Sequence, residues 1–372
     1  MAEIQGWYDD LFAEVPAALA TLLDGGDTGG AAAVLVDGEP VVDVWGGYAD
    51  AGRTRPWQRD TIVNVWSVSK PMIAVCGLLL ADRGELDLDA PVARYWPSFA
   101  AAGKEGVLVR HLFAHTAGLP DWDVPMTVQD LYDGPAVTER LAAQAPAWEP
   151  GTAAGYHSVT QGFLIGELVR RITGRTVGDF FAEEVAGPLG ADFHLSLSAE
   201  DDHRVAPTIP PSAQTEDHVA SAPGRNAQPG TALAGGIRVR DGNSVAWRRA
   251  LIPAASGFGN ARSVALVQSV MACGGVVGGV RLLSPAGCAR AWEEQFHGED
   301  RVLGLRMRYT LGYSKIGDTY GFAGWGGSIV MVEPTSRLAV AYVTNRIPEP
   351  HDAYRGLEIV MSVYDGLKGL RA

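Results

Sequence analysis

The chain has 372 residues, a formal net charge of −13, 47% hydrophobic and 20% charged residues. It is long enough for two domains around a sizeable core. The acidic balance argues against a polyanionic partner, because nucleic-acid binding rests on Lys and Arg clusters that neutralise phosphates.

The N-terminus, MAEIQGWYDDLF, carries acidic residues where a secretory leader would be basic and then apolar. No apolar run reaches the ~18 residues that span a bilayer. The expectation is a cytoplasmic protein with no membrane partner. The stretch GWYDDLFAEVPAALATLLDGG reads as one helix, bent by Pro16 and ended by Gly25 and Gly26. The runs AAAVLV and PVVDVW follow, separated by Asp37, Gly38 and Glu39 in a hairpin pattern.

Next comes NVWSVSKPMIAV, in which Ser67 and Ser69 precede Lys70 at the start of an apolar helical run. Ser67 and Lys70 are three positions apart, which places both on one helix face a turn apart. A serine hydroxyl needs a base to become a nucleophile, and a lysine serves when burial lowers its pKa. Pro71 suits the first helical turn, whose free N–H groups can also face an oxyanion. Ser69 adjoins Lys70 and points elsewhere on a helix. Taken alone, the SxxK pattern is weak and equally fits a polar helix start.

In VRHLFAHTAGLP, His111 and His115 read as histidines that satisfy local backbone groups, with Trp122 nearby as a candidate pocket wall. In WEPGTAAGYHSVTQG, Tyr156 and Ser158 stand just before a helix whose positions Val159, Phe163, Gly166 and Val169 share a face and which Gly174 stops. A phenol near a lysine can relay protons, and the Ser158 hydroxyl can hold the amine. The plain alternative is a half-buried tyrosine beside a helix cap. Residues 201 to 260 are rich in Pro, Gly and Ser without an apolar period and read as a long loop.

Near the C-terminus, RYTLGYSK, GGSIVMVE and LAVAYVTN are strand-like, and DAYRGLEIVMSVYDGLKGL places Tyr354, Leu357, Met361, Tyr364 and Leu367 on one helix side. Strands from both chain ends need one another as partners, so the middle is expected to be an inserted, mainly helical domain. The expected division is 1–85 with 290–372 as the sheet domain and 86–289 as the insertion, with the active site between them. Cys76, Cys273 and Cys288 lie far apart in apolar or Gly-rich surroundings and read as buried hydrophobes. No metal pattern accompanies them.

SVSK, YHS and WGG occur in the order of one catalytic architecture. The chain resembles the serine β-lactamase and penicillin-binding-protein superfamily, and within it the class C β-lactamase-like family VIII carboxylesterases. GELDLDAPVARYWPSF, WEPGT and VEPTSRLAVAYVTN are similar to that family's connecting segments. The resemblance implies an α+β, β-lactamase/transpeptidase-like fold, an acyl-enzyme on Ser67, and Lys70 and Tyr156 sharing the acid and base work. It implies an oxyanion held by the backbone N–H groups of Ser67 and Ser328, with Ser158, Trp325, Gly326 and Gly327 in support. An alternative register of the third motif uses FAG, Phe322 to Gly324, and moves the donor to Trp325; KIG, Lys315 to Gly317, is a decoy.

Ser158 stands where β-lactamases often have Asn, and apolar Trp325, with Phe322 nearby, stands where they have a cation that favours a carboxylate. The expected substrate is therefore a small or medium neutral ester. No cofactor is implied, and the oligomeric state is left open. Acyl transfer to an alcohol or amine, D-amino acid amidase or peptidase activity, weak β-lactamase activity and a non-catalytic binder of the same fold remain alternatives.

Overall fold

The computed structural model describes residues 1–211, 236–349 and 355–371. The chain begins with an edge strand, β1 (Ile4–Tyr8), then helix α1 (Glu14–Asp24). The expected single N-terminal helix is thus a strand and a shorter helix. Pro16 lies in the first turn of α1, where no intrahelical N–H bond is lost, so it starts the helix rather than bending it. Strands β2 (Gly29–Val36) and β3 (Glu39–Gly47) form the expected hairpin. Asp37 and Gly38 take φ of 55° and 83°, the left-handed pair that a tight hairpin turn requires.

Helix α2 (Ser69–Asp82) is buried over Ser69–Leu80, as befits a central helix that is apolar all round. Helix α3 (Thr160–Thr173) packs on α2 and ends at Gly174 with φ 73°. Helix α4 (Ala261–Ala272) follows, and then the remaining strands: β4 (Phe296–Glu299), β5 (Arg306–Tyr309), β6 (Ser314–Ile316), β7 (Thr319–Ala323), β8 (Ile329–Glu333) and β9 (Leu338–Thr344). Helix α5 (Leu357–Leu370) closes the chain.

These nine strands make one antiparallel sheet in the order β1-β3-β2-β9-β8-β7-β6-β5-β4, which joins the two chain ends through the β2–β9 pairing. Alternation along β2 splits its residues between two cores. Ala31, Ala33 and Leu35 face α2, α4 and the helical layer, whereas Ala32, Val34 and Val36 face α1 and α5.

Three expectations need correction. Helix α4 packs on β2, β8 and β9, so a segment assigned to the inserted domain covers the sheet. The buried stripe of α5 is Ile359, Val360, Val363 and Leu367, while Met361 is 67% exposed. Two stripes a residue or two apart were available in that sequence, and the sheet took the β-branched one; Tyr354 lies outside the described residues. The long loop expected over 201–260 carries short elements where it is described. Strands Val205–Ala206 and Phe258–Gly259 join Phe193–His194 and Ile62–Asn64 in a second small sheet, and residues 212–235 lie outside the described residues. Among the described residues no helix is long and apolar enough to cross a membrane.

Candidate active site

Ser67 sits in a single 3-10 turn, Trp66–Val68, that leads into α2. The turn is held in an uncommon conformation: Trp66 has φ 52°, costly for a bulky residue unless its surroundings enforce it. They do. The Asn64 side-chain oxygen accepts the Trp66 N–H at 3.2 Å, and Val65 N–H donates to Gly257 O at 2.8 Å. Ser69 Oγ donates to Trp66 O at 2.6 Å and accepts Gly257 N–H at 2.9 Å. Ser69 is therefore a brace of the turn, as its position beside Lys70 suggested.

The three expected catalytic side chains converge. Lys70 Nζ is 3.0 Å from Ser67 Oγ, and the Tyr156 hydroxyl donates to the same oxygen at 2.7 Å. The amine also donates to the carbonyls of Ser158, at 2.6 Å, and Ala254, at 3.3 Å. Lys70 is fully buried, and desolvation holds its amine well below the ordinary lysine value. A neutral amine has two protons and one lone pair. In that form its two protons can stay on the two carbonyls while the lone pair faces the Ser67 hydroxyl.

Burial pushes the Tyr156 phenol up, against the lowering effect of its bond to Ser67. Burial works against charge on both groups, ammonium and phenolate alike. Both shifts suit an amine that acts as base and a phenol that acts as acid. His115 packs edge-on to Tyr156, with ring centroids 5.1 Å apart, and burial holds it well below the usual histidine value. His111 Nδ1 accepts Leu108 N–H, the local backbone role expected of it.

Other expected residues are placed differently. The Ser158 side chain is exposed, and it is the residue's carbonyl that holds Lys70. Trp122 is buried in the helical layer, where its indole N–H donates to Val137 O and its ring packs on Phe163. Neither contact belongs to the constellation around Ser67.

The third motif occupies the end of β7 and the turn into β8. Phe322, on β7, stacks on Tyr156 at 6.1 Å, with Lys70 Nζ 5.9 Å from its ring. Gly324 abuts the nucleophile turn so closely that a Cβ there would lie 2.2 Å from Val65 O, and one on Gly326 would lie 2.7 Å from the Trp66 ring. The Trp325 ring meets Trp66 edge-on at 4.7 Å. The Ser328 side chain meets β9, where its Oγ accepts Thr344 N–H, and a Cβ on Gly327 beside it would approach Pro348 and Thr344. Of the two registers, FAG is the one whose last glycine, Gly324, is set against the turn that carries Ser67. Lys315 of KIG sits on β6 over the Tyr320 ring.

Two groups that no motif signalled complete the surroundings: the Ala254 carbonyl, and Asp300, which accepts the Tyr156 N–H at 3.1 Å. Neither could be found from local pattern, since each is brought in from more than ninety residues away. Among the described residues no three His, Cys, Asp or Glu side chains group as a metal site.

A model of the beta-lactamase family matches residues 9–363. The esterase/beta-lactamase LipL of Mycobacterium tuberculosis is 37% identical, over 98% of this chain and 86% of its own length. A solved family VIII carboxylesterase superposes with a TM-score of 0.88 at 38% identity, covering 98% of this chain and all of the other. A penicillin-binding-protein homologue from Caulobacter crescentus gives a TM-score of 0.87 at 32% identity, over 98% of this chain and all of its own.

Proposed function

The chain belongs to the beta-lactamase family and is a serine hydrolase of the carboxylesterase kind, and from that premise we propose that Ser67 attacks the acyl carbon of small or medium neutral esters. The observation that carries this reading is the single oxygen, Ser67 Oγ, within hydrogen-bond reach of both Lys70 Nζ and the Tyr156 hydroxyl.

In acylation, Lys70 takes the hydroxyl proton as Ser67 Oγ bonds to the carbonyl carbon. The carbonyl oxygen gains negative charge and is held by the N–H groups of Ser67 and Trp325. The alkoxy C–O bond then breaks, and Tyr156 gives its proton to the departing alkoxide. The Lys70 ammonium, 4.8 Å from the Tyr156 ring, returns a proton to the phenolate. Water attacks the acyl-enzyme by the reverse sequence.

Preference for a neutral acyl group is supported by the aromatic surroundings of the turn, Phe322, Trp325 and Trp66. A carboxylate brought against those rings loses its water without gaining a cation. The test is a panel of nitrophenyl esters, neutral and carboxylate-bearing, with a penicillin alongside, each with and without an added amine or alcohol. Turnover of neutral esters in water, exceeding that of acidic esters and the lactam, is expected. Turnover only with an acceptor identifies a transferase instead, and equal rates on acidic and neutral esters contradict the proposed preference.

A further inference from the structure

We propose that Asp300 is a positioning residue for Tyr156: from the turn between β4 and β5 its buried carboxylate grips the tyrosine backbone and so sets the phenol over Ser67. The proposal rests on the reading of Tyr156 as the proton donor.

Asp300 is completely buried. Its Oδ1 accepts three backbone N–H groups, from Tyr156 at 3.1 Å, Val302 at 2.8 Å and Leu303 at 2.8 Å, and its Oδ2 accepts the Tyr309 hydroxyl at 2.8 Å. All four donors are uncharged. A buried carboxylate is expensive unless its lone pairs are filled, and here they are filled in a way that ties two remote segments together. The tie is reinforced beside it: Ala154 and Asp300 form a parallel bridge, and Arg301 N–H donates to Ala154 O at 2.9 Å.

The grip falls one bond from the Tyr156 Cα, so a shift there is carried along the whole side chain to the hydroxyl. Asp300 also acts on the ring. Its partner Tyr309 packs edge-on against His115 at 4.8 Å, and His115 packs edge-on against Tyr156 at 5.1 Å. Phe322 stacks on the same ring with centroids 6.1 Å apart and lies 6.1 Å from His115. The phenol is thereby held from its backbone and by two packed rings while its oxygen meets Ser67. A reacting group displaced by about 1 Å can cost about a hundredfold in rate, which makes such bracing a catalytic matter and not only a folding one.

A double-mutant cycle separates the two roles. In the otherwise unchanged chain, Asp300→Ala should lower kcat on nitrophenyl acetate about tenfold to a hundredfold, with KM changed less than about twofold. Asp300→Asn, which keeps one carbonyl oxygen for the three N–H groups, should recover most of the loss. In a Tyr156→Phe background, where no phenol remains to be placed, Asp300→Ala should change the residual kcat by less than about twofold. Tyr309→Phe keeps the ring and frees one carboxylate oxygen. It should cost kcat severalfold in the parent chain and nothing in the Tyr156→Phe background, and this arm decides the matter where Asp300→Ala does not fold. Equal losses in both backgrounds overturn the positioning role. Full activity of Tyr156→Phe by itself overturns the reading of Tyr156, and the proposal with it.

Discussion

Lys70 Nζ lies 3.0 Å from Ser67 Oγ, and the other oxygens that the amine reaches, the carbonyls of Ser158 and Ala254, are uncharged. Burial lowers the lysine's pKa well below its ordinary value and so favours the free amine over the ammonium. The proposed reactivity of Ser67 rests on that one relationship.

A buried lysine whose pKa is lowered also carries a stability cost. The unfolded chain binds a proton at Lys70 that the folded chain releases, so this residue's contribution to stability improves as pH rises toward the 10.5 of an ordinary lysine. Lys70→Met should abolish turnover and raise Tm at pH 7, and the gain over wild type should shrink as the pH approaches 10. Thermal melts across pH check this. In the same vein, wild-type kcat/KM should fall only at pH values well below 10.5, as the amine takes up a proton.

Tyr156→Phe removes the hydroxyl that meets Ser67 while keeping the ring packed on His115 and Phe322. Loss of a positioned general acid costs about 10² to 10⁴ in kcat. KM on a nitrophenyl ester should change little, because the phenol acts on the leaving oxygen and not on the acyl group. Steady-state kinetics of the variant provide the check.

Gly324→Ala tests how the third motif meets the nucleophile. Its Cβ would lie 2.2 Å from Val65 O, so either β7 or the Ser67 turn must move. An activity loss of at least about a hundredfold is expected, with far-ultraviolet circular dichroism unchanged. Ser328→Ala, at the residue whose Oγ meets only Thr344 N–H among its hydrogen bonds here, should be much milder.

Ser158→Ala removes an exposed hydroxyl and leaves the carbonyl that holds Lys70. Its kcat should stay within about twofold of wild type, since surface changes away from such contacts are nearly neutral. A loss of tenfold or more would return the hydroxyl to the site.

The parts of this site that were legible in the sequence are those that local geometry dictates. Ser67 and Lys70 stand one helical turn apart whatever surrounds them, and the Asp37-Gly38 turn follows from its own backbone preferences. Tyr156 was legible only by resemblance, because its distance from Ser67 is a product of tertiary packing. The register of the third motif was not legible at all. Both FAG and WGG read as glycine-rich strand entries, and the choice depends on which of Gly324 and Gly327 touches Val65. Ser158 misled for a related reason, since the group that holds Lys70 is its carbonyl, which every residue has and no side-chain pattern signals. The strand β1 was hidden by an aromatic, acidic stretch that also suits a helix, and pairing with β3 decided it.

The central claim is a covalent acyl-enzyme on Ser67. Its most direct test is the intact mass of the protein, quenched with acid within the first turnovers of a slow nitrophenyl butyrate analogue. Wild type should gain the mass of one acyl group, located on the peptide that contains Ser67, and Ser67→Ala should neither gain mass nor turn the ester over. An adduct on Ser67→Ala, or hydrolysis undiminished in that variant, would contradict the account.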